Sequence, residues 1–293
     1  MRLFTAHRRT TDTTPHSGTR DTRVHVDLAH LRGLEAQGER LRLLPRQPAR
    51  SVLNGRHGSR LRGRGLDFLE LRGYLPSDDV RSIDWRVTAR TGVPHVRVFT
   101  EERDRPVLVV VDQRMSMFFG SRLAMKSVTA AEVAALVAFA VLAQNDRIGA
   151  IIVEDERLTD IRPKRSRATL TRLLTQLANA NQRLHAEAEP VAPTSLDAVL
   201  MAVTRLARRD HLVIVISDFD VIGPHSERLL AGLSRHNDVV LAPVSDPLSE
   251  TLPKDLHRIV SDGRLQATLD TSDAEVRQGL ESVASQRRAI LDG

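Results

Sequence analysis

Three short stretches of the 293-residue chain gather oxygen-bearing side chains: Asp112-Gln113-Arg114-Met115-Ser116, Pro193-Thr194-Ser195 and Ser217-Asp218-Phe219-Asp220. Their carboxylates and hydroxyls are hard ligands suited to Mg²⁺ or Mn²⁺, ions that take few protein donors and keep several waters. A carboxylate at a strand end can also serve as a nucleophile, as in phosphatases that use Asp-x-Asp for nucleophile and acid. Here the second position is Arg114, and the chain has neither a glycine-rich phosphate loop nor a G-x-S-x-G turn. Metal-dependent phosphoester hydrolysis therefore stands as an alternative that lacks its acid. The absence of cysteine removes thiolate metal sites, disulfides and cysteine nucleophiles. The eleven histidines form no helical pair such as H-E-x-x-H, so no histidine metal site is expected.

Such residues act together only if a fold brings them to one edge. The run PVLVVVD (106–112) is β-branched throughout and reads as a strand buried on both faces, and HLVIVISD (211–218) reads the same way. Between and after them, helical patterns over 123–144, 166–180, 195–209 and 225–236 alternate with strands at 147–153 and 238–244 and a short edge strand at 156–161. This alternation predicts a mainly parallel sheet with helices on both faces, whose ligands bind beyond the carboxyl ends of the strands. The three oxygen-bearing stretches all leave those ends. Farther on, LHRIVSDGRLQATLD predicts a hairpin turning at Asp262-Gly263, followed by a final helix from about Ser272.

The front of the chain is different. Residues 1–65 hold 14 arginines against 5 acids, a charge of +9, while residues 66–293 total −3. Residues 1–23 read as a disordered basic leader. In 24–105, Asp27 caps a short amphipathic helix carrying Leu28, Leu31 and Leu34, an Arg/Gly-rich linker runs from Leu44 to Gly65, and a small β-rich subdomain of short strands follows. Tyr74 and Trp85, the chain's one tyrosine and one tryptophan, are expected to anchor that small core. Asp78, Asp79 and Asp84 alternate with Arg72, Arg81, Arg86 and Arg90, which reads as a lattice of surface ion pairs. The longest near-apolar stretch, Ala131 to Ala143, falls short of the roughly 20 residues of a membrane span. With no secretory signal at the front, the expected address is the cytoplasm.

The segments GRGLDFLELRGYLPSDDVRSIDWRVTARTG, EERDRPVLVVVDQRMSMFFGS and LVIVISDFD resemble the bacterial domain of unknown function 58 over about residues 53–270. The resemblance implies a von Willebrand factor A-like α/β domain over 106–293 behind the small N-terminal subdomain. Domains of that type often hold a divalent ion in a metal-ion-dependent adhesion site built from Asp-x-Ser-x-Ser, a threonine and a further aspartate. Carried over, these fall on Asp112, Ser116, Thr194 and Asp218, with Arg114 where the motif has serine. Two readings follow. Mg²⁺ or Mn²⁺ binds there, or Arg114 fills the place with a forked salt bridge to Asp112 or Asp218.

Members of this family are often encoded beside MoxR-type AAA+ ATPases. The resemblance therefore implies a non-enzymatic protein-interaction module that partners such an ATPase, with client proteins, in a chaperone-like or regulatory assembly. The alternatives are the hydrolase above and nucleic-acid binding through the arginine-rich arm, which no recognition motif accompanies.

Overall fold

The computed structural model describes residues 21–42, 66–101, 106–186, 191–220, 222–250, 257–261 and 266–272, with scattered positions between 274 and 285. Residues 1–20 of the expected leader, the linker at 43–65, the Asp262-Gly263 turn and most of the expected final helix lie outside them.

Residues 21–23, the end of the expected leader, take part in the fold. Arg23 closes onto Asp21 at 2.7 Å, and its carbonyl accepts from the Met125 N–H at 2.8 Å. Asp27 then caps α1 (Leu28–Gly33) by accepting from the His30 N–H, and α2 (Glu35–Gly38) follows directly. In the subdomain, β1 (Leu66–Gly73) pairs antiparallel with β2 (His95–Glu101), and between them lies α3 (Trp85–Thr91). That helix departs from the all-strand expectation. Asp84 caps its first turn by accepting from the Arg86 and Val87 N–H groups, and Gly92 ends it at φ +75°, a left-handed cap that glycine adopts without strain. Trp85 does not anchor a core either, because it is 64% exposed.

From Pro106 the alternation is as read. The order is β3 (Pro106–Asp112), α4 (Lys126–Ala143), β4 (Arg147–Val153), β5 (Leu158–Lys164), α5 (Arg167–Arg183), α6 (Leu196–Leu206), β6 (Leu212–Ser217), α7 (Pro224–Ser234) and β7 (Asp238–Pro243). A short α8 (Pro247–Glu250) and an antiparallel pair, β8 (His257–Ser261) and β9 (Gln266–Asp270), follow. The central sheet runs β5-β4-β3-β6-β7, parallel except for the edge strand β5. This is a doubly wound sheet with its first strand at the centre. Alternate residues of β3 explain the layers. Val107, Val109 and Val111 pack with α4 and α5 on one face, while Leu108 and Val110 pack with α6 and α7 on the other.

The apolar character of α4 has a structural cause. It is the one helix among the described residues long and apolar enough to cross a membrane, yet most of it is buried within the fold. The sheet covers one side, while α1, α2 and α5 pack against the rest, so it needs no polar face. Val26 and Leu31 are fully buried in that same core, which therefore reaches back beyond residue 106. Gly38 allows the close approach: a Cβ there would stand 2.6 Å from Phe139 Cβ and 2.9 Å from the Leu136 carbonyl oxygen. Gly38→Ala is expected to lose about 1–3 kcal/mol of stability through overpacking. Urea denaturation with an unchanged m-value would register it, and a midpoint equal to the parent's would mean that α2 does not pack on α4 in solution.

Candidate functional site

The carboxyl end of β3 delivers Asp112 into the interior, and Arg114 turns back onto it. Both side chains are buried. Asp112 Oδ1 accepts from Arg114 N–H and Nε at 3.0 Å each, and Oδ2 accepts from Arg114 Nη2 at 2.6 Å. Ser217 Oγ donates to the same Oδ2 at 2.6 Å, tying the end of β6 to the end of β3. The remaining guanidinium nitrogen, Nη1, donates to the Thr194 carbonyl at 2.9 Å. Arg114 thus joins the first two stretches, and Ser217 brings in the third. Of the two arginine arrangements open to the sequence, the fork to Asp112 is the one formed.

The other candidates are placed unequally. Asp218 is buried beside the cluster and accepts from Lys126 Nζ at 2.8 Å. Thr194 Oγ1 donates to the Asp155 carbonyl at 2.8 Å, so its hydroxyl is engaged with backbone. Ser116 lies exposed in the turn Met115–Met117. Asp220 is an exposed loop residue whose N–H donates to Asp218 Oδ1 at 3.3 Å. Between these two acids Phe219 is buried at φ +52°, a left-handed backbone that is costly for a residue with a Cβ and held here by the Phe219 N–H on Ser217 Oγ.

Two cations stand opposite the two buried acids, and the electrostatics follow from that. Burial alone would favour loss of the Arg114 proton, but the hydrogen bond and charge of Asp112, with Asp218 and Asp155 behind it, hold the guanidinium more firmly charged than usual. Burial likewise pushes the Asp218 carboxyl up, and the charge and hydrogen bond of Lys126, aided by Arg114, more than reverse this, so it stays below the ordinary carboxylate range. At Asp155 burial wins: the Met115 N–H and Arg114 oppose it only in part, and the carboxyl is raised. A divalent ion does not fit this donor set as it stands. Both Asp112 oxygens are engaged, Asp218 faces an ammonium, and among the described residues no group of three or more His, Asp or Glu could hold a metal.

The family profile described as protein of unknown function DUF58 matches residues 70–290. The chain belongs to that family. This DUF58 chain is 30% identical over 255 residues to the uncharacterized proteins Mb1516 of Mycobacterium bovis and Rv1480 of Mycobacterium tuberculosis, covering 85% of its own length and 77% of theirs. Among solved structures it is similar to the conserved hypothetical protein BatB from Bacteroides thetaiotaomicron, at 12% identity and a TM-score of 0.37, covering 64% of this chain and 96% of that one. It is also similar to the SpRpn10 VWA domain, at 8% identity and a TM-score of 0.28, covering 49% and 90%.

Two residues of the DUF58 cluster went unread in the sequence. Lys126 opens α4 and so belongs to no strand end, although its rarity was a signal: it is one of three lysines among 43 basic residues. Asp155 follows β4, and the same strand-end rule that found Asp112 and Asp218 would have found it.

Proposed function

We propose that the chain is a non-enzymatic protein-interaction module that partners a MoxR-type AAA+ ATPase in a chaperone-like or regulatory assembly. The observation that carries this reading is the seat of Arg114 on Asp112. Carboxylate catalysis needs an oxygen free to attack or to take a proton, and here both oxygens of Asp112 already accept from Arg114 and Ser217. The cluster is a degenerate adhesion site in which a guanidinium stands where a metal ion would.

What meets a partner is the rim above the buried charges. Ser116, Ser195 and Asp220 are exposed there, and the loop from β3 to α4 leaves Leu123 87% and Phe119 39% exposed. Two large apolar side chains in one loop at a sheet's binding edge suit a contact that excludes water.

The test mixes the purified chain with the MoxR-type ATPase of the same cells. A complex that changes ATP turnover and survives EDTA is expected, and Leu123→Asp is expected to weaken it about tenfold, the effect of losing a central apolar contact. A complex that EDTA dissolves would show a metal bridge instead of the arginine-filled site. No complex and no change in turnover would remove the partner. Phosphatase turnover lost in Asp112→Ala would restore the enzyme reading. A companion variant, Arg114→Ser, gives the motif its missing hydroxyl and removes the filling charge, so Mg²⁺ or Mn²⁺ affinity by calorimetry is expected to rise. Equal or weaker binding in the variant would mean that the guanidinium is not what keeps the ion out.

A further inference from the structure

Of the ion pairs that the sequence suggests over 72–90, Arg72–Asp78 forms, while Asp79 and Asp84 are engaged elsewhere. Asp78 receives Arg72 through two hydrogen bonds of 2.7 and 2.8 Å and also accepts from the Leu75 N–H, which holds its carboxyl at about 2. Asp79 accepts from the Arg81 N–H and caps a turn of 3-10 helix (Val80–Ser82). Asp84 caps α3 and accepts from Arg97 Nε at 2.5 Å. Every acid of the segment is thereby committed to Arg72, Arg97 or a backbone amide. The side chains of Arg81, Arg86 and Arg90 make no ion pair or hydrogen bond with the described residues, and all three are exposed.

Four of the five exposed positions of α3 form one stripe. Trp85 and Ala89 lie four apart in an apolar row, and Arg86 and Arg90 lie four apart in a basic row beside it. Like charges at that spacing weaken a helix, and this helix has only seven residues, so its own stability does not account for the pair. Trp85, the chain's sole tryptophan, is 64% exposed, and Val80 (55%) and Val93 (57%) flank α3 exposed. Tryptophan and arginine are the residue types that most often dominate binding energy at protein interfaces.

We propose that this face of α3, with Arg81, is a docking surface for an acidic segment of a partner protein that seats an apolar side chain against Trp85. Charge complementarity names the sign of the partner, and the valines name its class. Aliphatic side chains offer nothing on which a base can stack, whereas single-stranded nucleic acid is held by successive aromatic platforms. The surface deepens the interaction reading given above, which it rests on, but it does not require that the partner be an AAA+ ATPase.

Trp85 reports its own coverage, since an indole moved out of water emits at shorter wavelength. The full chain is titrated with a synthetic peptide of Glu, Asp and Leu residues, with the same peptide carrying Lys in place of its acids, and with oligothymidylate. The acidic peptide is expected to shift the emission to the blue, more weakly as salt is raised. Arg86→Glu combined with Arg90→Glu is expected to weaken it about tenfold and to let the lysine peptide bind in its place. Arg172→Glu with Arg208→Glu, an equal charge change at exposed arginines elsewhere, is expected to leave the shift unchanged. No shift with the acidic peptide, or one indifferent to the charge reversal, would overturn the proposal. Tighter binding of oligothymidylate would reassign the face to nucleic acid, and a shift produced by raising the concentration of the chain alone would reassign it to a second copy. No ATPase enters the assay, so failure here and failure of the ATPase partnership are separate results.

Discussion

Arg114→Ala is expected to lower the stability of the fold by about 3–5 kcal/mol at neutral pH, the usual loss when one member of a buried ion pair is removed. The variant strands the Asp112 carboxylate among apolar strand ends with Ser217 as its remaining side-chain donor, and it also frees the Thr194 carbonyl. Combining Arg114→Met with Asp112→Asn should recover most of the loss, since a neutral amide still accepts from Ser217 and no charge is left behind. Urea denaturation of the parent, Arg114→Met, Asp112→Asn and the double variant closes a double-mutant cycle. Additive effects, with no coupling between the two positions, would mean that the fork is absent in solution.

Lys126→Met should show itself through pH. In the parent, Asp218 is held below the ordinary carboxylate range, so it contributes stability that is fully present above about pH 4 and is lost as the pH falls through its lowered value. Without the ammonium, burial of Asp218 is opposed mainly by Arg114, and the folded carboxyl moves up. The variant is then expected to be less stable by about 3 kcal/mol near pH 7, toward the low end for a broken buried pair. The deficit should shrink on acidification, the two curves converging as Asp218 takes its proton in both. Unfolding free energies measured between neutral pH and about pH 3 check this. A deficit that does not vary with pH would assign Lys126 a packing role only.

The sheet was legible because its signals are local and redundant. The β-branched runs of β3 and β6 have no other use than a strand buried on both faces, and Asp27 before Leu28 and Leu31 names the start of α1. What escaped was set by context. Trp85, Val87, Thr88 and Thr91 are all comfortable in strands, and only the flanking Asp84 and Gly92 mark the seven residues between them as a helix. The fork of Arg114 to Asp112 was readable as one of two choices, because a guanidinium two residues after a buried acid has few other partners. Lys126 was not, since it reaches Asp218 across 92 residues of sequence and from a helix start. The burial of Val26 was hidden for a similar reason: a basic, polar front end masks a few apolar residues whose partners lie in α4 and α5.

That last contact constrains the order of events during synthesis. The Val26 N–H donates to Asn181 Oδ1, whose Nδ2 in turn donates to Gln113 Oε1, and the first of these bonds spans 155 residues. At about 5–20 residues per second the ribosome needs roughly 8–30 s to deliver Asn181 after Val26. The helix at 126–143 is complete only late in that interval, and for the roughly 2–8 s between residue 143 and Asn181 it lacks the part of its cover that α5 supplies. The segment around Val26 is thus made early and seated late, and a waiting period with the apolar helix only partly covered is written into the topology.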